Sequence, residues 1–186
     1  MRIISGSMRG TKLFTLEGLN TRPTLDRVKE ALFNILNFDL QDATVLDLFA
    51  GSGALALESL SRGAQKAILA DQSRGAVEII KKNIQKTKTE NQTILYHMSY
   101  EKVLEKLKEN NTKVKIVFLD PPYETNFAEK AAEKIIQYEL LENDGIIIIE
   151  TDNKEKIIEN TNDQLLEVYD IRKYGRVDLL FLKRKG

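Results

Sequence analysis

The sequence predicts an α/β fold: a doubly wound, mostly parallel sheet with a C-terminal antiparallel hairpin and an N-terminal β-hairpin/helix extension. Three observations predict it. From Thr44 onward, short apolar or β-branched runs alternate with helix-length amphipathic segments. One of the runs, Ile116-Val117-Phe118-Leu119, is wholly apolar, the pattern of a strand covered on both faces. After Glu159 the rhythm breaks, and two strand-like runs meet at Tyr174-Gly175 with no helix between them.

The elements follow in order. Residues 1–20 mix short β-like pieces (2–5 and 12–15) with Gly6, Gly10 and Gly18, which suggests a small hairpin or arm. Thr24 caps a helix running to about Asn37, with Leu25, Val28, Leu32, Ile35 and Leu36 on one face. Strands are then expected at 44–48, 66–70, 93–97, 114–119 and 146–150. Helices are expected at 54–61, 73–87, 100–108, 126–138 and 152–159. Runs 165–172 and 177–183 form the closing hairpin. Residues 1–40 thus make an N-terminal arm and helix, and 41–186 the main domain.

Bulk composition narrows the function. A chain of 186 residues, 42% hydrophobic and 30% charged, reads as globular with a substantial core. With no cysteine there is neither a disulfide nor a thiolate metal site, and the lone His97 cannot anchor zinc by itself. A structural role suits His97 better than a catalytic one, and no metal is expected. The apolar run 146–149 is too short for a bilayer, and the opening residues lack a stretch of signal-peptide length. A cytoplasmic monomer is the expectation. Net charge is zero, but its distribution is uneven. Arg2, Arg9 and Lys12 lie near one end, and Arg172, Lys173, Arg176, Lys183, Arg184 and Lys185 near the other. Brought together, they would form a phosphate-binding face; left apart, they are solvated surface.

Two strand ends carry the chemistry. The first is Asp120-Pro121-Pro122-Tyr123, directly after the apolar strand. It offers a carboxylate, backbone carbonyls held by rings that have no N–H, and a flat ring. Those parts suit an exocyclic amine on a planar base: acceptors for its N–H bonds and a surface to stack on. A rigid strand-to-loop turn is the plain alternative. The second is Asp47-Leu48-Phe49-Ala50-Gly51-Ser52-Gly53. Gly51, Gly53 and Ala56 match the G-x-G-x-x-G/A nucleotide fingerprint between strand and helix, and Asp71 is the acid expected about 20 residues on for ribose hydroxyls. Alone, this loop is compatible with NAD or with S-adenosylmethionine. Asp47 favours the latter, since a carboxylate attracts a methionine ammonium and repels a pyrophosphate. In a doubly wound sheet both strand ends lie at the same crevice.

These motifs belong to a longer pattern. Arg2-Ile3-Ile4-Ser5-Gly6, Arg9-Gly10, Arg22-Pro23-Thr24 with Asp26-Arg27, Glu30 and Phe33 lead into the glycine loop. Ser61-Arg62-Gly63-Ala64, Asn83, the Asp120–Tyr123 motif and Tyr174-Gly175 follow it. Over essentially its whole length the chain resembles the RsmD family of small-subunit ribosomal RNA methyltransferases, which modify the N2 amine of a guanine. The resemblance implies a class I S-adenosylmethionine-dependent methyltransferase (Rossmann-like) fold and S-adenosylmethionine as methyl donor. The implied substrate is 16S rRNA, within an assembled or assembling small subunit. Carried over, Asp47, Phe49, Gly51 and Gly53 line the cofactor, Asp71 holds its ribose, and Ser99 and Tyr100 meet its adenine. Ser99 stands where the family commonly has Asn or Asp. Asp120, Pro121, Pro122 and Tyr123 are the catalytic set.

Arg9, Arg22, Arg27 and Tyr174 are the candidate RNA contacts, with an Arg27–Glu30 ion pair and hairpin packing of Tyr174 as the plain alternatives. Two other functions fit parts of the pattern. One is an N6-adenine or other amino methyltransferase on RNA or DNA. The other is a NAD-binding oxidoreductase or a non-catalytic RNA-binding module.

Overall fold

The computed structural model describes residues 1–16, 23–122 and 125–186, with side chains described from Asp26 onward in the first helix. Thr24 and Leu25, expected as cap and stripe residues, have side chains outside the described set, and Arg22 and Tyr123 lie outside it altogether. Helix α1 spans Pro23–Ile35. Then come β1 (Thr44–Asp47), α2 (Ala54–Ser61), β2 (Lys66–Asp71), α3 (Arg74–Thr87), β3 (Thr93–His97) and α4 (Tyr100–Glu109). They are followed by β4 (Val114–Leu119), α5 (Phe127–Gln137), β5 (Leu141–Thr151), α6 (Lys154–Asn160), β6 (Leu166–Tyr174) and β7 (Val177–Arg184).

The strands form one sheet in the order β3-β2-β1-β4-β5-β7-β6. All neighbours through β5 are parallel; β7 is antiparallel to both β5 and β6. Alternate residues of each central strand serve opposite faces. Ile116 and Phe118 join Leu57, Leu60 and Ile80 under α2 and α3, with Val28, Leu32 and Phe33 of α1. Val117 and Leu119 join Val103, Leu104, Ala131, Ile135 and Ile157 under α4, α5 and α6. The wholly apolar runs are thus central strands buried on both sides.

Two expected elements differ. The N-terminal pieces make a single bridge, Arg2 to Lys12, rather than two strands. Ile3 N–H donates to Thr11 O, and Leu13 N–H to Met1 O. Beyond that pairing the backbone is held mostly by the body of the protein, Ser7 N–H by Ser61 O and others by side chains. Ile4 and Ser5 N–H donate to the Glu58 carboxylate, and Phe14 N–H donates to Asn83 Oδ1 at 2.7 Å. Strand β5 starts at Leu141, not at Ile146, because Val114 pairs with Leu141 before a bulge resets the register at Ile116–Ile146. The intervening Glu142-Asn143-Asp144-Gly145 is polar and hides the strand from an apolar pattern.

The arm is fastened to the main fold by buried polar side chains. Asn83, fully buried in α3, also donates from Nδ2 to Phe14 O and to Ser52 O. It therefore joins the arm to the glycine loop. Asn83→Ala leaves those three backbone groups without their partner. It should cost roughly 2–4 kcal/mol of stability, read as a lower denaturant midpoint at unchanged slope.

Candidate active site

The carboxyl ends of β2, β1, β4 and β5 each carry an acid: Asp71 and Asp47 as last residues, Asp120 one residue past Leu119, and Glu150 one residue before Thr151. All four line one cavity of about 530 Å³, with the glycine loop on one side and Pro121 and Pro122 on another. This is the crevice at which the strand order reverses, between β1 and β4.

The loop is shaped by its glycines. Gly51 (φ 56°) would carry a side chain into open space, so its absence leaves room for a ligand against the backbone. Gly53 (φ 77°) sits behind the cavity wall, where a Cβ would come within 2.9 Å of Leu69. Its glycine lets α2 start close over β2. Asp71 sets the loop: its carboxylate accepts from Gly51 N–H at 3.0 Å and from Ser73 N–H at 2.8 Å. Each of these oxygens keeps a further lone pair for a hydroxyl.

Asp47 is buried to 2% exposure, and among the described residues its Oδ2 has no hydrogen-bond partner. Burial, with a smaller push from Asp71, raises its pKa to about 7. A cation from a ligand is what such a group lacks. Asp120 is open to the cavity, yet protein surrounds that cavity, and burial holds its carboxyl well above the usual range. Glu150 and Asp47 raise it further. Glu150 is itself raised by burial.

The opposite wall is aromatic. Phe49, Tyr100 and Phe127 lie with ring centroids 5.2–6.4 Å apart, Phe49 and Phe127 nearly parallel. Such a wall suits a planar heterocycle. Burial lifts the Tyr100 hydroxyl to about 12, so the ring stays neutral. Ser99, which precedes α4 and makes no side-chain cap, is not among the cavity-lining residues, whereas Tyr100 is.

The other sequence candidates are dispersed. Arg27 is exposed on α1, whose Val28, Lys29 and Leu32 line the cavity. Among the described residues it has no carboxylate partner, Glu30 included. Tyr174 ends β6 at the tip of the C-terminal hairpin, half-buried against the same core cluster as α1. Because Thr151 pairs with Asp178, that tip lies at the cavity edge of the sheet. Arg9 does not. Met8 N–H donates to Ser61 Oγ at the far end of α2, which sets Arg9 about 10 Å from the glycine loop. His97 is exposed, its Nε2 3.2 Å from Gln72 O. Sequence reasoning missed Glu150, Lys29 and Phe127. Glu150 alone left a trace, as an acid ending the strand next to Asp120.

The sheet order and the glycine-loop crevice define the class I methyltransferase fold. The model of the family described as conserved hypothetical protein 95 matches residues 1–183, and the chain belongs to that family, the RsmD family. Ribosomal RNA small subunit methyltransferase D of Haemophilus influenzae is 37% identical over 169 residues, covering 90% of this chain and 86% of that protein. Its Escherichia coli namesake is 37% identical over 154 residues, covering 82% and 75%. A solved Escherichia coli structure, 29% identical, covers 100% of this chain and 98% of its own with a TM-score of 0.84. Among the described residues no helix is long and apolar enough to cross a membrane.

Proposed function

We propose that this protein methylates the exocyclic N2 amine of a guanine in 16S rRNA, with S-adenosylmethionine as donor. The observation that carries the reading is the pairing, in one cavity, of the glycine loop and orphaned Asp47 with the Asp120-Pro121-Pro122 turn. The names of the relatives, small-subunit rRNA methyltransferases, support RNA as the acceptor.

When bound, S-adenosylmethionine supplies an activated methyl group. Asp47 would hold its ammonium, the Gly51 backbone its methionine end, Asp71 its ribose hydroxyls, and Phe49 with Tyr100 its adenine. Each fits an unmet need or open space in this chain. The guanine amine is a weak nucleophile, because its lone pair is conjugated with the ring. Asp120 and the Pro121 carbonyl accept its N–H bonds, localise the lone pair and disperse the positive charge that develops. Burial makes the Asp120 carboxylate more basic than usual, which suits it to receive the proton that the amine sheds. Tyr123 would stack on the base. Arg27 and the hairpin tip around Tyr174 would hold RNA phosphates at the cavity edge, and Arg9 the backbone further along. Residues 1–40 would thus serve as an RNA-facing extension that also walls the cofactor site.

Asp47 gives this reading a pH signature. Its folded pKa stands above that of an unfolded aspartate, so its ionisation costs stability, increasingly as pH rises from about 4 to about 7. A bound ammonium removes that cost. Cofactor affinity should therefore rise by up to about tenfold per pH unit below pH 7 and level off above it, with Asp47→Asn flattening the profile. Titration calorimetry in buffers of different ionisation heat reads both the affinity and the proton released.

The substrate class is tested by offering labelled donor together with small ribosomal subunits, naked rRNA or duplex DNA. Label in the small-subunit RNA is expected. Label in DNA alone would favour an amine methyltransferase of another kind.

A further inference from the structure

Asp120 has an acid for a neighbour on the next strand. Leu119 pairs with Ile149 in the parallel β4–β5 ladder, and the next residue of each chain is Asp120 and Glu150. Adjacent strands stand about 4.8 Å apart. Phe118 and Ile148 belong to the core on the α1 side, Leu119 and Ile149 to the core opposite, so strand alternation turns both acids back towards α1. Both line the first cavity. After burial, the Glu150 charge is the largest influence on Asp120, ahead of Asp47. Among the described residues neither acid has a cation partner. Lys29, on the wall of the same cavity, is held by Glu58 and Arg2 O.

The two acids differ in what they face. Asp120 lines the cavity of about 530 Å³ only, whereas Glu150 also lines a second of about 420 Å³. The charged residues of that second wall are Glu129, Asp152 and Lys156, and Lys156 donates to Thr125 O. Donor and base together displace water from the first cavity. A proton received by Asp120 then has its way out through Glu150.

We infer that Glu150 takes the proton from Asp120 and passes it to water in the second cavity, which makes it a positioning residue that acts through Asp120. The O–H bond on Asp120 breaks as one forms on Glu150, and the electron pair stays on Asp120, which becomes a carboxylate again. Glu150 then gives the proton to water. One proton leaves for each methyl group transferred. The inference rests on the reading that Asp120 receives the proton of the amine, and adds where that proton goes.

Charge and shape are separated by two variants. Glu150→Gln keeps the shape and cannot take a proton; Glu150→Asp keeps the carboxylate on a shorter stem. Single-turnover transfer of labelled methyl to small ribosomal subunits is followed against pH at saturating S-adenosylmethionine. The wild-type rate should rise as Asp120 ionises and then level off. Glu150→Gln should level off about tenfold lower. Its rise should lie at lower pH, because the charge that holds the Asp120 carboxyl up is gone. Glu150→Asp should stay within about threefold of wild type, with its rise near the wild-type position. Asp47, Asp71, Lys29 and Tyr100 in the first cavity, and Glu129, Asp152 and Lys156 in the second, are common to all three proteins. The difference therefore reports Glu150. Burial raises the Glu150 pKa, so at neutral pH its ionised form destabilises the fold and Glu150→Gln should melt no lower than wild type.

A Glu150→Gln protein whose rise in rate stays at the wild-type pH overturns the inference. So does Glu150→Gln equal to or faster than Glu150→Asp, the order that a packing role would give. A wild type that transfers no methyl group to the subunits overturns the underlying reading, and this inference with it.

Discussion

Asp120→Ala lowers methyl transfer by about 10²–10³-fold while leaving cofactor affinity within about threefold of wild type. The reason is positional. Asp120 stands at the cavity end of β4 beside Pro121 and Pro122, where the proposed mechanism puts the acceptor amine. Its acceptance of an amine N–H matters most when positive charge builds on that nitrogen, so its loss falls on kcat. Stability should move the other way. Burial, Glu150 and Asp47 all hold the Asp120 carboxyl above its ordinary range, so its ionised form destabilises the empty protein. That cost is absent below the unfolded pKa and grows as pH rises through the folded one. At neutral pH, Asp120→Ala should therefore melt no lower than the wild type. Asp120→Asn keeps an accepting oxygen without the charge and should fall between. Wild-type turnover in a folded Asp120→Ala protein would contradict the mechanism.

The largest effect on folding is expected at Glu58. This α2 carboxylate is fully buried and accepts from Ile4 N–H at 2.8 Å, Ser5 N–H at 3.0 Å and Arg62 Nε at 2.8 Å. Lys29 Nζ lies 3.3 Å away and is itself 5% exposed; it also donates to Arg2 O at 2.6 Å. Burial lowers the Lys29 pKa, and Glu58 is the main group opposing that. Glu58→Ala strands a buried ammonium and two arm N–H groups at once. About 3–5 kcal/mol of stability should be lost, a fall of roughly 6–20 °C in thermal midpoint. The arm should then be cut by protease before the body, and cofactor affinity should drop, because Met1, Thr15 and Lys29 are part of the cavity wall. Lys29→Met together with Glu58→Leu, which removes both charges, should recover part of the loss.

The sheet was legible because every central strand carries its own signal. Ile116–Leu119 and Ile147–Ile149 are apolar on both faces, and the helices between strands keep one apolar stripe. Asp47, Asp71 and Asp120 stood out because each stands at the end of a strand in that alternation, and Gly51 because it opens the glycine fingerprint after one of them. What escaped depends on contacts distant in sequence. Glu58 and Asn83 read as ordinary polar helix positions until the arm is laid over them. The arm looked like two strands because Arg2–Ser5 is β-like, but after the Ile3 N–H bond to Thr11 O its Ile4 and Ser5 N–H groups are taken by Glu58. The distance of Arg9 from the cavity was hidden for the converse reason. A basic residue near a functional arm suggests the site, yet the arm runs along α2 and carries it away.

The most direct test is nucleoside mass spectrometry of 16S rRNA from small subunits that lack this modification, after reaction with the purified protein and S-adenosylmethionine. One N2-methylguanine per subunit, at a single nucleotide, is the expected product. N6-methyladenine instead, or no methylated nucleoside from a protein that still binds the cofactor, would contradict guanine-N2 methylation of rRNA.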